Sequence, residues 1–272
     1  MAQKKIGIYG NLESTSNNKV EDLYLIVDGQ SIVFAVKNSK SNEFVAFEYF
    51  VNSGDNQGWS QLIAYLQNNS KLIHAIYNNI HFVMNTPRVV LSNQHTNATN
   101  LHYQNELNLV HGSKVEEEVY TNEISSGMVL VYAVPDALST LLTRSFPIGK
   151  WHHYSEYVIN NLVNNGVYIL LFEHEYCLCI REAGQIKLLN YHPIEGKDQN
   201  SYIVLNSCVG SNTNSNTSPL IVFGYNEEQH EFIKLVAPYF ESLKIVKAPD
   251  VGLGSKLNAE YPNHTYSTYF IF

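Results

Sequence analysis

A three-strand phrase that occurs twice constrains this chain more than any other feature. Its clearer copy is Val167 to His192, VYILLFEHEYCLCIREAGQIKLLNYH. Val167 to Phe172 is apolar and aromatic, and Glu173-His174-Glu175 is a polar turn. Tyr176 to Arg181 is a second strand, and Glu182-Ala183-Gly184-Gln185 turns tightly into a third, Ile186 to Asn190. The phrase reads as a β-meander. The earlier copy runs from Leu23 to Asn52, with strands Leu23 to Val27, Ser31 to Val36 and Phe44 to Val51. Its turns are Asp28-Gly29-Gln30 and Asn38 to Glu43.

Similar elements follow each copy. In the first half, Trp59, Leu62, Ile63 and Leu66 share one face of a short helix. Ile80 to Met84 and Arg88 to Leu91 are strand pieces around Asn85-Thr86-Pro87, where the proline must sit at an edge or turn. Asn93 to Asn108 is polar, and Glu116-Glu117-Glu118 reads as a solvated face or a helix start. Met128 to Val134 is a strand, and Pro135-Asp136 opens a helix over Ala137 to Arg144. The spacing of Tyr154, Tyr157, Val158, Asn161 and Leu162 predicts a helix over Trp151 to Leu162.

In the second half, Pro193 to Asn200 reads as a charged loop and Tyr202 to Cys208 as a helix. Pro219 to Phe223 is a buried strand, Glu227 to Phe240 a helix and Leu243 to Val246 a last strand. Met1 to Glu21 is a loose or edge-pairing arm. Each half therefore runs meander, helix, strand, helix, strand, which argues an α/β fold whose mixed β-sheets carry helices on their faces. The expected division is residues 1–150 with the arm, 151–250, and a tail at 251–272 that packs on either half.

Composition narrows the function classes. With 17 basic and 25 acidic side chains the net charge is −8, so a phosphate backbone meets repulsion and nucleic acid is a poor partner. No apolar run reaches the ~18 residues of a membrane span, and the N-terminus has no signal-peptide core. A cytoplasmic protein with no membrane span is expected. Cys177 and Cys179 lie two apart on one strand, and with Cys208 they read as buried thiols. His95, His102 and His111 have no ligand spacing, and the adjacent His152 and His153 point ~100° apart on a helix. No metal site is expected. No Ser/His/Asp or Cys/His order with a nucleophile elbow occurs, so no catalytic residue is assigned.

The element order resembles the duplicated ribonuclease-H-like unit of the actin-like ATPase superfamily, which includes actin, heat-shock chaperones, sugar kinases, and pilus and secretion scaffolds. More closely, the phrases HFVMNTPRVVL and VYAVPDAL resemble a bacterial domain-of-unknown-function family with that fold. The resemblance implies two ribonuclease-H-like halves and an ATP cleft between them. The first hairpin of each half would clamp phosphate, and a Gly-Gly turn after a later strand would meet adenosine. Glycine admits close backbone approach, a hydroxyl donates to phosphate, and an acid positions Mg²⁺.

On that template Asp28, Gly29 and Ser31 keep an acid, a glycine and a hydroxyl, although the family pattern Asp-x-Gly places its glycine one residue later. The second hairpin, Glu173-His174-Glu175, has neither glycine nor hydroxyl, and its carboxylates would repel phosphate. LIVFGYN, Leu220 to Asn226, matches the adenosine turn with one glycine, Gly224, where the family has two. Asp28, Gly29, Ser31 and Gly224 are therefore the candidate residues of a degenerate nucleotide cleft. The expected function is a non-catalytic scaffold or interaction protein with a protein partner and no cofactor. The alternative is a divergent ATP-binding protein, an ATPase or small-molecule kinase, with ATP and Mg²⁺ held by Asp28 and Ser31. Hydrolysis by Glu173 and Glu175 ranks last.

Overall fold

The computed structural model describes residues 2–10, 20–29, 31–52, 58–93, 99–124, 127–248 and 264–272. The chain divides into two compact units, Met1–Glu156 and Tyr157–Phe272, and the division falls inside helix α4 (Tyr154–Asn161).

In the first unit, β2 (Glu21–Asp28), β3 (Ser31–Asn38) and β4 (Glu43–Asn52) form the antiparallel meander. Asp28 pairs directly with Ser31, so the first turn is a two-residue hairpin, and Gly29 has φ +41° there. β5 (Asn79–Asn85) adds in parallel beside β2, and β9 (Lys150–His153) adds in parallel beside β5. β1 (Ala2–Tyr9) pairs antiparallel with β4, giving the order β1-β4-β3-β2-β5-β9. The N-terminal arm is thus an edge strand over residues 2–9; residues 11–19 of it lie outside the described residues.

Period-two alternation explains the core. Leu23, Leu25 and Val27 share a face with Ile32, Phe34, Ile80 and Phe82. They pack with Leu62, Ile63 and Leu66 of α1 (Trp59–Asn69) and with Leu138 and Leu142 of α3 (Asp136–Ser145). The same face carries Glu48, fully buried, which accepts hydrogen bonds from Lys4 Nζ, Tyr9 Oη, Ser70 Oγ and the backbone N–H of Lys71. Those donors are what make a buried carboxylate tolerable.

A three-stranded sheet of order β6-β8-β7 completes this unit, from β6 (Val89–Asn93), β7 (Glu117–Ile124) and β8 (Met128–Pro135). Val129, Val131 and Ala133 face Tyr103 and Leu107 of α2 (Asn100–His111), while Tyr132 and Val134 join the main core.

The second unit repeats the plan. β10 (Gly166–Leu171), β11 (Glu175–Glu182) and β12 (Gln185–Pro193) are the meander, and β13 (Pro219–Phe223) and β14 (Ser242–Ile245) add in parallel on the other side of β10. The order β12-β11-β10-β13-β14 matches β4-β3-β2-β5-β9 strand for strand. α5 (Lys197–Gly210) and α6 (Glu231–Val236) cover one face through Val204, Cys208, Phe232 and Ile233. The last described segment, residues 264–272, ends in a buried 3-10 turn, Ser267–Phe270.

Several local expectations are corrected. Trp151 to His153 is strand rather than helix: Trp151 is buried in the core, and the backbone pairs with β5 from His81 to Met84. Glu116-Glu117-Glu118 leads into strand β7, and the polar stretch after Asn93 contains α2. The charged loop at Pro193 to Asn200 already holds the first turn of α5. The helix expected over Glu227 to Phe240 is α-helical only from Glu231 to Val236 and then tightens to 3-10 over Ala237–Tyr239, where Pro238 lacks an N–H.

Candidate functional site

In open α/β sheets, ligands bind beyond the carboxyl ends of the parallel strands. The candidate residues lie there in each unit. In the first unit, β2 ends at Asp28 and β5 at Asn85, and the two are register partners; Asp28 also opposes Ser31. All three are buried and share the sheet face that carries Tyr24 and His81. Ser31 Oγ has no hydrogen-bond partner among the described residues. Gly29 is exposed, and a side chain there would meet nothing within 4 Å. Gln30, the other turn residue, lies outside the described residues. The acid, the glycine and the hydroxyl therefore meet in one hairpin.

Asn85 carries no assignment in the sequence reading, yet it sits at a strand end beside this hairpin; His153 lies on the opposite, core face, as register partner of Met84 and against Tyr132. His153 ends β9 and is fully buried. Its Nε2 lies 3.0 Å from the Thr86 carbonyl, and its Nδ1 accepts from the Ser155 N–H at 3.1 Å. Those partners fit a neutral ring, and burial lowers its pKa to about 3. Nearer the start of the same strands, Tyr24 stacks on His81 at 4.7 Å. His81 Nδ1 faces His152 Nε2 at 3.3 Å, and Glu156 holds His152 Nδ1 at 3.0 Å. Burial, and then the neighbouring His152, lower the His81 pKa to about 4. No group of three metal-ligating side chains occurs among the described residues.

In the second unit, the corresponding ends are Leu171 of β10 and Phe223 of β13, followed by Gly224. Gly224 has φ +72° and donates its N–H to Ser267 Oγ at 2.8 Å. Thr268 Oγ1 donates to the Leu171 carbonyl at 2.8 Å. A Cβ on Gly224 would stand 2.3 Å from Thr268 Oγ1 and 2.4 Å from the Leu171 oxygen. The bareness of this glycine is therefore used by the chain's own C-terminal segment. The first hairpin of this unit closes with a Phe172 N–H to Glu175 carbonyl bond at 2.9 Å and presents no glycine or hydroxyl.

A family model described as a protein of unknown function, DUF3822, matches residues 11–243. The chain belongs to the DUF3822 family. No curated protein matches it in sequence. Among solved structures, a Bacteroides thetaiotaomicron protein with an actin-like ATPase fold and unknown function aligns at TM-score 0.75 and 14% identity. That alignment covers 87% of this chain and 94% of the other. The ethanolamine utilization protein EutJ from Carboxydothermus hydrogenoformans aligns at TM-score 0.53 and 8% identity, over 97% of this chain and 90% of that one. At such identities the likeness shows the fold alone: this DUF3822 protein has an actin-like ATPase fold. No helix among its described residues is long and apolar enough to cross a membrane.

Proposed function

We propose that this DUF3822 protein is a non-catalytic actin-like scaffold, a pseudo-ATPase that works in the bacterial cytoplasm by engaging a protein partner. One observation carries the reading: the Gly224 turn is closed by Ser267 and Thr268. A turn that meets a ligand's ring needs its backbone face open, and here the backbone N–H is bonded and the Cα face is in contact with Thr268 and Leu171. The second hairpin adds to this, because Glu173 and Glu175 supply negative charge where phosphate would need donors. The net charge of −8 makes nucleic acid an unfavourable partner.

The test is thermal unfolding with and without millimolar Mg-ATP or Mg-ADP. A ligand that binds only the folded state must raise the melting temperature. No shift is expected, and a rise of several degrees would overturn the reading.

Asp28 favours a second reading. It shares its hairpin with Ser31, whose Oγ has no partner among the described residues, and an acid beside such a hydroxyl is what a Mg-phosphate clamp would use. This divergent ATPase or kinase would lose turnover in Asp28→Ala; turnover unchanged by that substitution would dispose of it.

A further inference from the structure

An edge strand leaves a row of backbone N–H and C=O groups open to pairing, and proteins guard such edges by shortness, charge or a bulge. Six strands lie at sheet edges among the described residues. β6, β9 and β14 are only four or five residues long. β7 carries Glu117, Glu118 and Glu123. β1 carries Lys4 and Lys5, and its register shifts between Lys4 and Ile6. β12 is the outlier. It is nine residues long, Lys187 is its one lysine, arginine or carboxylate, and its pairing with β11 is regular from Leu188 to Pro193.

The duplication shows what this edge can accept. β12 takes the place of β4, and β4 has β1 antiparallel on its outer side. With that neighbour β4 buries eight of its ten residues. β12 buries none of its nine, although Ile186, Leu188, Leu189 and Tyr191 are among them. The second unit has no counterpart of β1 among its described residues. The plan of the fold therefore leaves room for one more antiparallel strand beyond β12.

The sequence of β12 selects the occupant. Set antiparallel to a second copy about Leu189, it places Gln185 opposite Pro193, Ile186 opposite His192, Lys187 opposite Tyr191 and Leu188 opposite Asn190. Leu189 meets Leu189 at the axis. No two lysines face each other, and each Lys187 lies beside a tyrosine ring. A twofold axis lets one patch serve both chains, the commonest symmetry of soluble oligomers. We propose that this protein forms a homodimer by antiparallel pairing of two β12 strands about Leu189, which joins the five-stranded sheets of the two copies into one. The dimer goes beyond the scaffold reading and does not depend on it.

Sedimentation equilibrium of the full chain tests the association. The mass is expected to approach twice the 30.9 kDa of one chain at about 100 µM. Single cysteine substitutions test the register. Directly opposed Cα atoms of an antiparallel pair stand about 4.5–5.5 Å apart, within reach of a disulfide. Leu189→Cys is therefore expected to give a covalent dimer under mild oxidation. Lys187→Cys is the control on the same face: its own counterpart lies four residues along the strand, about 13 Å away, and it is expected to cross-link about tenfold less. The native Cys177, Cys179 and Cys208 are buried and do not compete. A monomer at about 100 µM would overturn the proposal whatever the variants do. So would a dimer in which folded Leu189→Cys stays uncrosslinked, or in which Lys187→Cys cross-links as readily.

Discussion

Thr268 Oγ1 donates to the carbonyl of Leu171 at 2.8 Å, across 97 residues of sequence. Ser267 beside it accepts from Gly224, so two consecutive hydroxyls tie the C-terminal segment to the ends of β10 and β13. Phe172 and Tyr269 meet edge to face at 6.0 Å above the same point. Thr268→Val keeps the shape and removes the donor, leaving a buried carbonyl unpaired. It is expected to cost about 1–3 kcal/mol of unfolding free energy, read from urea denaturation. A loss indistinguishable from zero would mean that the segment is not held by this bond.

The two glycine turns are expected to respond differently to alanine. Gly224→Ala combines a left-handed backbone with a Cβ at 2.4 Å from backbone oxygen, which cannot move aside cheaply. A loss of about 3 kcal/mol or more is expected from strain and overpacking together. Gly29→Ala has the left-handed φ but open space around it, and a loss of about 1 kcal/mol is expected. Denaturation midpoints of the two variants, measured side by side, check the order.

Arg88 holds the small sheet and α2 together. Its Nη1 donates to the carbonyls of His111 at 3.1 Å and Gly112 at 2.8 Å, its Nη2 donates to Asn108 Oδ1 at 3.0 Å, and its Nε lies 2.7 Å from Glu117 Oε2. The guanidinium thus caps the end of α2 and neutralises a half-buried carboxylate at once. Arg88→Met is expected to cost about 3–5 kcal/mol, because it strands a charge and several acceptors. Glu117→Gln in the same background should recover part of that loss, since it removes the stranded charge.

Acid is expected to weaken the fold through buried histidines. Burial lowers the pKa of His153 to about 3 and of His230 to about 4, and burial with His152 lowers His81 to about 4. Unfolded histidine titrates near 6.5, so below about pH 6.5 the unfolded chain binds more protons than the folded one. Stability is therefore fully present above that pH and is lost as pH falls toward the folded values. For fully buried His153 the slope reaches about 1.4 kcal/mol per pH unit within that window. Urea unfolding at several pH values should show a shallower decline in His153→Gln than in the parent chain.

Those histidines also mark where the sequence was readable and where it was not. The meanders were legible because Leu23 to Val51 and Val167 to Asn190 alternate or run apolar between turn residues, a local signal that tertiary packing reinforces. Asp28-Gly29 in a tight turn was visible for the same reason. Trp151 to His153 misled because Tyr154 onward has helical spacing, and nothing local says that the three residues before it pair with β5. β7 was hidden by Glu116-Glu117-Glu118, where Glu117 pairs with the Arg88 guanidinium and Glu118 accepts a hydrogen bond from Ser139, both from distant positions. Asn85 was missed because a single residue carries no period; only the parallel register sets it beside Asp28. The closure of Gly224 by Ser267 and Thr268 is a contact over more than forty residues that no spacing encodes.

The most direct measurement is calorimetric titration of Mg-ATP into the full chain, with Asp28→Ala as the matched control. No heat beyond dilution is expected up to millimolar nucleotide, in either protein. A saturable isotherm with a Kd of about 100 µM or tighter, abolished by Asp28→Ala, would show a working clamp at the first hairpin and contradict the reading that the nucleotide cleft is degenerate and closed.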